Sequence, residues 1–330
     1  MSLANLRNKL LVSLALGIVV VFGLMVYADF AKMLEGFERF QWQYLPIILG
    51  LTLLNYLLRY VKWHFYLGLI GAGQVSRFDS FLMFFSGLSM VMTPGKVGEW
   101  LKSYLLRQIA GTPISKSAPI IVAERLTDGV ALLILAAGGL VVFKVGWEVL
   151  LFVLLLAAAI VAISQRRDLA LKLLSLGERT PILAKRMHHL HQFYESSYIL
   201  LRGRNLAIAI ALGFVSWSGE CIAFYFVLVG LGVAAEPMLL ITASFILAAA
   251  TLAGSVFLLP GGLGVAEGGI TGLAQILIGM PKDLAAVATL LIRFCTLWFG
   301  VSLGVITLFV ITKRLGNRQI DYRREDVPAR

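Results

Sequence analysis

Charge is what this sequence has least of. Only 14% of its residues are Asp, Glu, Lys or Arg, while 59% are hydrophobic and the mean hydropathy is +0.87. Soluble domains carry roughly 25% charged residues. So apolar a chain has no surface to offer water, which excludes a soluble enzyme, a disordered protein and a nucleic-acid-binding domain. Cysteine is nearly absent. Cys221 and Cys295 both lie inside apolar stretches and read as packing residues, with no disulfide implied. Signatures of covalent chemistry are missing too. There is no HExxH or GxSxG, and Pro94-Gly95-Lys96 lacks the glycine spacing and the Lys-Ser/Thr ending of a P-loop. Glu124-Arg125 lacks the His partners of an intramembrane protease site. No extramembrane segment is large enough for a glycosyltransferase or kinase. The protein is therefore expected not to be an enzyme, and to need no cofactor and no metal.

What is present is a recurrence of apolar runs near 10–28, 45–70, 118–142, 148–164, 205–232 and 284–312. Each is long enough, or nearly so, to cross a hydrocarbon core of about 30 Å. The first has no small-residue cleavage site and reads as a retained helix rather than a signal peptide. Two further apolar regions are interrupted, 78–110 at Thr93-Pro94-Gly95 and 238–280 at Leu259-Pro260-Gly261-Gly262. Pro and Gly break a helix, and the flanking halves are mostly short for a crossing. Both regions are expected to be re-entrant hairpins. Two full crossings in each would leave the rest of the topology unchanged. The fold class is all-α, a polytopic membrane protein of about six spans plus two hairpins.

The net charge of +11 orients the chain. Arg7 and Lys9 precede the first span. Arg166, Arg167, Lys172, Arg179, Lys185, Arg186, Arg202 and Arg204 crowd the 165–204 loop. Lys313, Arg314, Arg318, Arg323, Arg324 and Arg330 follow the last span. Basic residues collect on the cytoplasmic side and meet anionic lipid there, so both termini are expected in the cytoplasm and the protein in the inner (cytoplasmic) membrane. Within the loop, Leu183, Met187, Leu190, Tyr194, Tyr198 and Leu201 recur at helical spacing, as in an amphipathic helix on the inner leaflet. His188, His189 and His191 on it read as a solvated polar face, with no Cys or carboxylate ligand set nearby.

The chain also contains itself twice. Repeat 1, about 45–142, runs span, hairpin, span, and repeat 2, about 205–312, does the same, linked by span 148–164 and the basic loop 165–204. Pro94-Gly95-Lys96-Val97-Gly98-Glu99 faces Pro260-Gly261-Gly262-Leu263-Gly264, with Glu267 slightly later. Arg125 and Arg293 follow at similar intervals. Leu67–Gly73 resembles Phe226–Gly232. The first unit starts outside and the second inside, so the units are expected to be inverted in the membrane. Inverted repeats with helices broken in corresponding places are a signature of transporters, with the site at the repeat interface. The whole of 1–314 reads as one transmembrane domain and 315–330 as a basic cytoplasmic tail.

Ten ionisable residues fall within these spans and hairpins: Arg59, Lys62, Lys96, Arg125, Arg293, Glu99, Glu124, Asp128, Glu220 and Glu267. At the centre of a lipid-facing helix each costs about 2.5–3.5 kcal/mol, so they must pair or line a wet cavity. Asn55, Arg59, Lys62 and Tyr66 share one helix face, as do Glu124 with Asp128, Ser216 with Glu220, and Thr289, Arg293, Thr296 and Gly300. Lys62 and Asp128 also suit a structural ion pair or an interfacial snorkel. Because Pro is favoured at a first helical position, the second half-helices are expected to begin at Pro94-Gly95 and at Pro260-Gly261-Gly262. Their free N–H groups would attract an anion, phosphate especially, joined by Arg59, Lys62, Lys96, Arg125 and Arg293. Capping of the same ends by Glu99, Glu267 or protein carbonyls is the alternative. Glu99, Glu124, Asp128, Glu220 and Glu267 are expected to hold the cations aligned or to carry a coupling proton.

Four segments carry a wider resemblance: Arg59-Tyr60-Val61-Lys62-Trp63, Thr93–Glu99, Glu124-Arg125-Leu126-Thr127-Asp128-Gly129 and Pro260–Glu267. With them the chain, over roughly 8–314, resembles the flippase-like transmembrane family of lysylphosphatidylglycerol synthases and of stand-alone bacterial and archaeal proteins. The resemblance implies an inner-membrane protein that moves a lipid or a lipid-linked head group between leaflets. The chain ends soon after its last span, so the expectation is a stand-alone member without a synthase domain. The substrate would be an anionic phospholipid, an aminoacyl lipid or a polyprenyl-linked lipid. Three alternatives stay open: a non-transporting accessory subunit of a glycosyltransferase or lipid synthase, a small anion or solute transporter, and an integral enzyme acting on lipid phosphates. The expected partners are membrane lipids with anionic or isoprenoid head groups, and no nucleic acid. A glycosyltransferase or synthase partner and a homodimer stay open as well.

Overall fold

The computed structural model describes residues 18–20, 22–23, 25–91, 93, 97–143, 147–167, 172, 187–256 and 260–325. Every regular element among them is helical. The protein is an all-α polytopic membrane protein. Among the described residues five helices are long and apolar enough to cross a membrane: Trp42–Leu69, Ile114–Phe143, Gly203–Gly230, Pro237–Ser255 and Lys282–Leu315. Most of the expected first span, 10–28, lies outside the described residues.

The elements are α1 (Phe30–Arg39), α2 (Leu45–Leu69), α3 (Arg77–Leu88), α4 (Val97–Ala110), α5 (Ile114–Phe143), α6 (Trp147–Gln165), α7 (Met187–Leu200), α8 (Gly203–Gly230), α9 (Pro237–Val256), α10 (Val265–Ile278), α11 (Lys282–Arg293) and α12 (Phe299–Glu325). A π turn, Phe294–Trp298, joins the last two. Local chemistry marks several boundaries. Asp29 accepts from the Ala31 N–H at 3.0 Å to start α1, and the Ser76 hydroxyl accepts from the Asp79 N–H at 3.0 Å to start α3.

The two halves share one design. α2 ends at Gly71 and α8 at Gly232, both with positive φ (74° and 89°). The closing bonds match as well: Ala72 N–H to Leu67 O and Val233 N–H to Leu228 O, each the six-to-one bond of a glycine-ended helix. This places Gly232, not Gly230, as the counterpart of Gly71, two residues from the register expected from the sequence. The left-handed φ marks the equivalent helix end; the spelling of the glycines around it does not.

The half-helix of the second unit also begins later than its proline suggests. α10 starts at Val265, not at Pro260. Gly261, Gly262 and Gly264 take positive φ, which no right-handed helix accommodates, so the chain turns through Pro260–Gly262 first. α4 starts at Val97. The same interval separates Val97 from Val265, Glu99 from Glu267 and Arg125 from Arg293, so Pro260 stands two residues further before Val265 than Pro94 does before Val97. Pro94, Gly95 and Lys96 lie outside the described residues.

α2 and α8 pack along one another and cross at Asn55 and Ser216. They run antiparallel. A Cβ on Gly219, beyond Ser216, would sit 3.2 Å from the carbonyl of Leu51, before Asn55; one on Gly213, before Ser216, would sit 3.4 Å from Lys62 Nζ, beyond Asn55. Around this crossing the packing is reciprocal: α5 of the first unit lies on α9 of the second, and α12 of the second on α3 of the first. Glycines bring these pairs close. Cβ atoms on Gly139 and Gly304 would stand 2.3 Å from Phe245 Cβ and 2.1 Å from the Ser89 nitrogen. The two helix breaks touch, since the Gly261 N–H donates to the Val91 carbonyl at 3.1 Å.

The two interrupted regions differ in one respect. At 12, 14 and 14 residues α3, α4 and α10 are short for a crossing, whereas the 20 residues of α9 reach about 30 Å. The described part of the basic loop includes a helix, α7, which docks on α5. Met187, Ser196 and Leu200 are buried, and Ser115 donates to Gln192 at 2.5 Å. Leu183 lies outside the described residues.

Candidate functional site

Most of the intramembrane charges meet in one place. A cavity opens between the two units, holding about 1190 Å³ of empty space, part of it open to the surroundings. Its charged lining is Arg59 from α2, Glu99 and Lys102 from α4, Arg125 from α5, Glu220 from α8 and Arg293 from α11. Gly261 and Gly262 of the second break line it too. Tyr56, Phe84 and Trp217 supply aromatic wall.

Two Arg–Glu pairs occupy equivalent positions in the two units. Arg125 Nη2 meets Glu99 Oε1 at 2.9 Å, and Arg293 Nε meets Glu267 Oε1 at 2.6 Å. In each, the carboxylate stands in the first turn of a second half-helix and the arginine on the helix that follows. The second pair is tied further into the backbone. Glu267 Oε2 accepts from the Gly264 N–H at 2.7 Å, and Arg293 Nη2 donates to the Gly261 carbonyl at 2.7 Å. The N-terminus of α10 is thus capped by Glu267, which takes the place of the anion expected there. Glu267 lies behind the cavity wall and Arg293 in it.

Lys62 and Asp128 form a buried ion pair beside the cavity, not in its lining. Lys62 is 1% exposed and also donates to Thr127 Oγ1 at 3.3 Å. Arg59 Nη2 reaches the same carboxylate at 3.8 Å and lies 5.4 Å above the Trp217 ring. Asp128 therefore faces two cations. Gly213 leaves the room: a Cβ there would come within 3.4 Å of Lys62 Nζ and 3.5 Å of Asp128 Oδ1.

Lys102 was not among the sequence candidates. Its ammonium contacts Glu124 Oε2 at 2.6 Å and sits 4.6 Å from the Trp63 ring and 5.3 Å from that of Phe84. The signal was its place three residues after Glu99, on the same face of one half-helix. Glu124 is consequently a partner of Lys102 and lies outside the lining.

Glu220 stands in the field of Arg59 and Arg293 without touching either. It lines the cavity at 7% exposure, yet among the described residues it has no ion-pair or hydrogen-bond partner. Its counterpart in the first unit, at the same interval of 161 that links Asn55 to Ser216, is Arg59. Cys221 and Cys295 are free, buried thiols in the packing. Among the described residues no group of three or more His, Cys, Asp or Glu is placed to hold a metal ion. His188 bonds Gln192 at 2.8 Å and His189 bonds Ser115 at 3.3 Å.

Comparison with known proteins places this arrangement in context. The model of the family described as the lysylphosphatidylglycerol synthase TM region matches residues 12–304. A UPF0104 membrane protein of Methanothermobacter thermautotrophicus is 25% identical over 312 residues, spanning 88% of this chain and 90% of that one. A second UPF0104 membrane protein of that organism is 32% identical over 120 residues, 36% of this chain and 34% of its own. The matched region takes in every residue that lines the cavity.

Proposed function

The chain belongs to the lysylphosphatidylglycerol synthase transmembrane-region family, and on that footing we propose that it is a lipid translocase, moving a lipid with a phosphate-bearing head group between leaflets. Candidate cargoes are an anionic phospholipid, an aminoacyl lipid and a polyprenyl-linked lipid. The observation that carries this reading is the cavity between two antiparallel units, lined by Arg59, Arg125 and Arg293. Guanidinium groups hold phosphate through paired, charge-assisted hydrogen bonds. Each of these arginines has further N–H groups beyond the contacts described. The head group would pass through the polar cavity while its acyl chains stay in lipid.

The paired architecture supports the motion. Each unit carries an arginine bound to the first-turn carboxylate of a broken helix, and the units run in opposite senses. Rocking of one unit against the other would expose the cavity to each leaflet in turn. We place the hairpins as re-entrant because their breaks touch and α3, α4 and α10 are short for a crossing. The basic 165–204 loop and the basic tail then face the cytoplasm, with the protein in the inner membrane.

The test is lipid exchange in proteoliposomes. The full chain is reconstituted with fluorescent phosphatidylglycerol, an aminoacyl lipid or a polyprenyl phosphate, and leaflet exposure is read with an impermeant quencher. Rapid, protein-dependent exchange of one class, lost in Arg125→Ala with the fold preserved, is the expected result. Exchange of none, together with co-purification of a glycosyltransferase or synthase, would overturn the reading in favour of an accessory subunit. A lipid-independent solute flux would overturn it in favour of a solute transporter.

A further inference from the structure

The charges around the cavity are not matched one to one, and the mismatch has a direction. Lys102 is matched by Glu124, Arg125 by Glu99 and Arg293 by Glu267. Arg59 and Lys62 together meet a single carboxylate, Asp128. Among the described residues Arg59 is thus the cation that shares its carboxylate, at 3.8 Å, with another. Glu220 is the converse: a carboxylate 7% exposed that lines the cavity with no partner among the described residues. A buried, unmatched carboxylate is costly unless a ligand completes it. Among the described residues the lining thus holds one cation without a carboxylate of its own and, within its field but not in contact with it, one carboxylate without an ion-pair partner.

We propose that the cavity recognises a zwitterionic head group, a phosphate diester and an ammonium a short link apart, with Arg59 and the neighbouring arginines on the phosphate and Glu220 on the ammonium. This rests on the lipid-translocase reading and narrows it to head groups of the phosphoethanolamine kind. One further feature fits. Tyr56 lines the cavity with Glu220, and an aromatic ring beside a carboxylate is a favourable setting for an ammonium, whereas the Trp217 ring already carries Arg59. A purely anionic head group would satisfy the arginines and leave Glu220 facing like charge. Free phosphoethanolamine offers the same ammonium on a phosphate monoester, so the test includes it to separate a soluble ligand from the lipid.

The experiment uses the full chain in vesicles and three tail-labelled probes with matched acyl chains: phosphatidylethanolamine, its N-acetylated form and phosphatidylglycerol. Exchange of the amine lipid is expected to exceed that of the acetylated lipid by roughly tenfold or more, the loss of one hydrogen bond between charged groups. In Glu220→Gln that ratio is expected to fall toward one, whatever the absolute rates. Binding is read in parallel by native mass spectrometry of the detergent-purified protein, with free phosphoethanolamine as competitor. Equal exchange of the amine and acetylated lipids, or a preference that Glu220→Gln leaves intact, would overturn the proposal while the translocase reading stands. Exchange of no lipid would remove the translocase reading, and equal retention of the two lipids in the binding measurement would then overturn this proposal independently. Displacement by free phosphoethanolamine with no lipid preference would assign the same site to a soluble ligand.

Discussion

Asn55 and Ser216 bond to each other's backbones. The Asn55 side-chain amide donates to the Ser216 carbonyl at 3.0 Å, and the Ser216 hydroxyl donates to the Asn55 carbonyl at 3.1 Å. Because they are equivalent residues of two antiparallel helices, the pair marks the pseudo-symmetry axis between the units. Hydrogen bonds between membrane helices are worth about 0.6 kcal/mol on average and up to about 1.7. Ser216→Ala is expected to lower stability by about 0.5–1 kcal/mol, and Asn55→Ala, which also leaves a gap, by about 1–2 kcal/mol. Unfolding in detergent checks both. No loss in either variant would mean that the crossing is held by apolar packing alone.

The Lys62–Asp128–Arg59 group sets an order of severity. Breaking a buried ion pair costs about 3–5 kcal/mol when a charge is stranded. Lys62→Met leaves Asp128 with Arg59, whereas Asp128→Leu strands two cations at once. Asp128→Leu is expected to be the more damaging, with Lys62→Met restoring part of its loss in the double variant. Thermal unfolding of the three variants gives the comparison, and the reverse order would show that Arg59 does not share the carboxylate.

Glu267→Gln probes the capped half-helix. The carboxylate serves the Gly264 N–H with one oxygen and Arg293 with the other. A glutamine has one acceptor oxygen and must release one of them. Stability is expected to fall by about 1.5–3 kcal/mol, the worth of a hydrogen bond to a charged group, and lipid exchange to fall with it. Exchange at the full rate would place Glu267 outside the moving parts.

Close approach gives a fourth contrast. A Cβ at Gly304 would meet the Ser89 nitrogen at 2.1 Å, whereas one at Gly272 meets nothing within 4 Å. Gly304→Ala forces α12 from α3 and is expected to cost about 1–3 kcal/mol. Gly272→Ala, inside α10, is expected to gain up to about 1 kcal/mol of helix propensity. Similar effects at both positions would contradict the α3–α12 packing.

Part of this architecture was legible in the residues. Charge inside an apolar run is conspicuous because lipid penalises it, so Arg59, Arg125, Glu220 and Arg293 stood out, and Pro260-Gly261-Gly262 marked a place where one helix ends and another begins. Which charges pair was not legible. Glu124 goes to Lys102, and nothing in its own helix says so; the partner is chosen where α4 packs on α5. Lys102 itself escaped notice beside the more conspicuous Pro94-Gly95-Lys96. The two-residue shifts between repeats were hidden because glycines recur at several nearby positions, and only the backbone φ distinguishes a helix end from a packing contact. The π turn after Arg293 leaves no mark in composition. It shows only in the hydrogen bonds, one of them the Tyr56 hydroxyl donating to the Thr296 carbonyl at 2.5 Å.

The central claim is that a lipid head group crosses through the cavity between the units. The most direct test blocks that cavity. Thr251→Cys places a thiol in the lining, and Ile276→Cys places one on the outer surface, where Ile276 is 77% exposed. Each variant is reconstituted and treated with a bulky thiol reagent before lipid exchange is measured; the native Cys221 and Cys295 are buried. The account expects modification at position 251 to stop exchange, lipid to slow the labelling there, and modification at 276 to leave exchange unchanged. Full exchange by a protein labelled at position 251 would contradict it and put the lipid's path elsewhere.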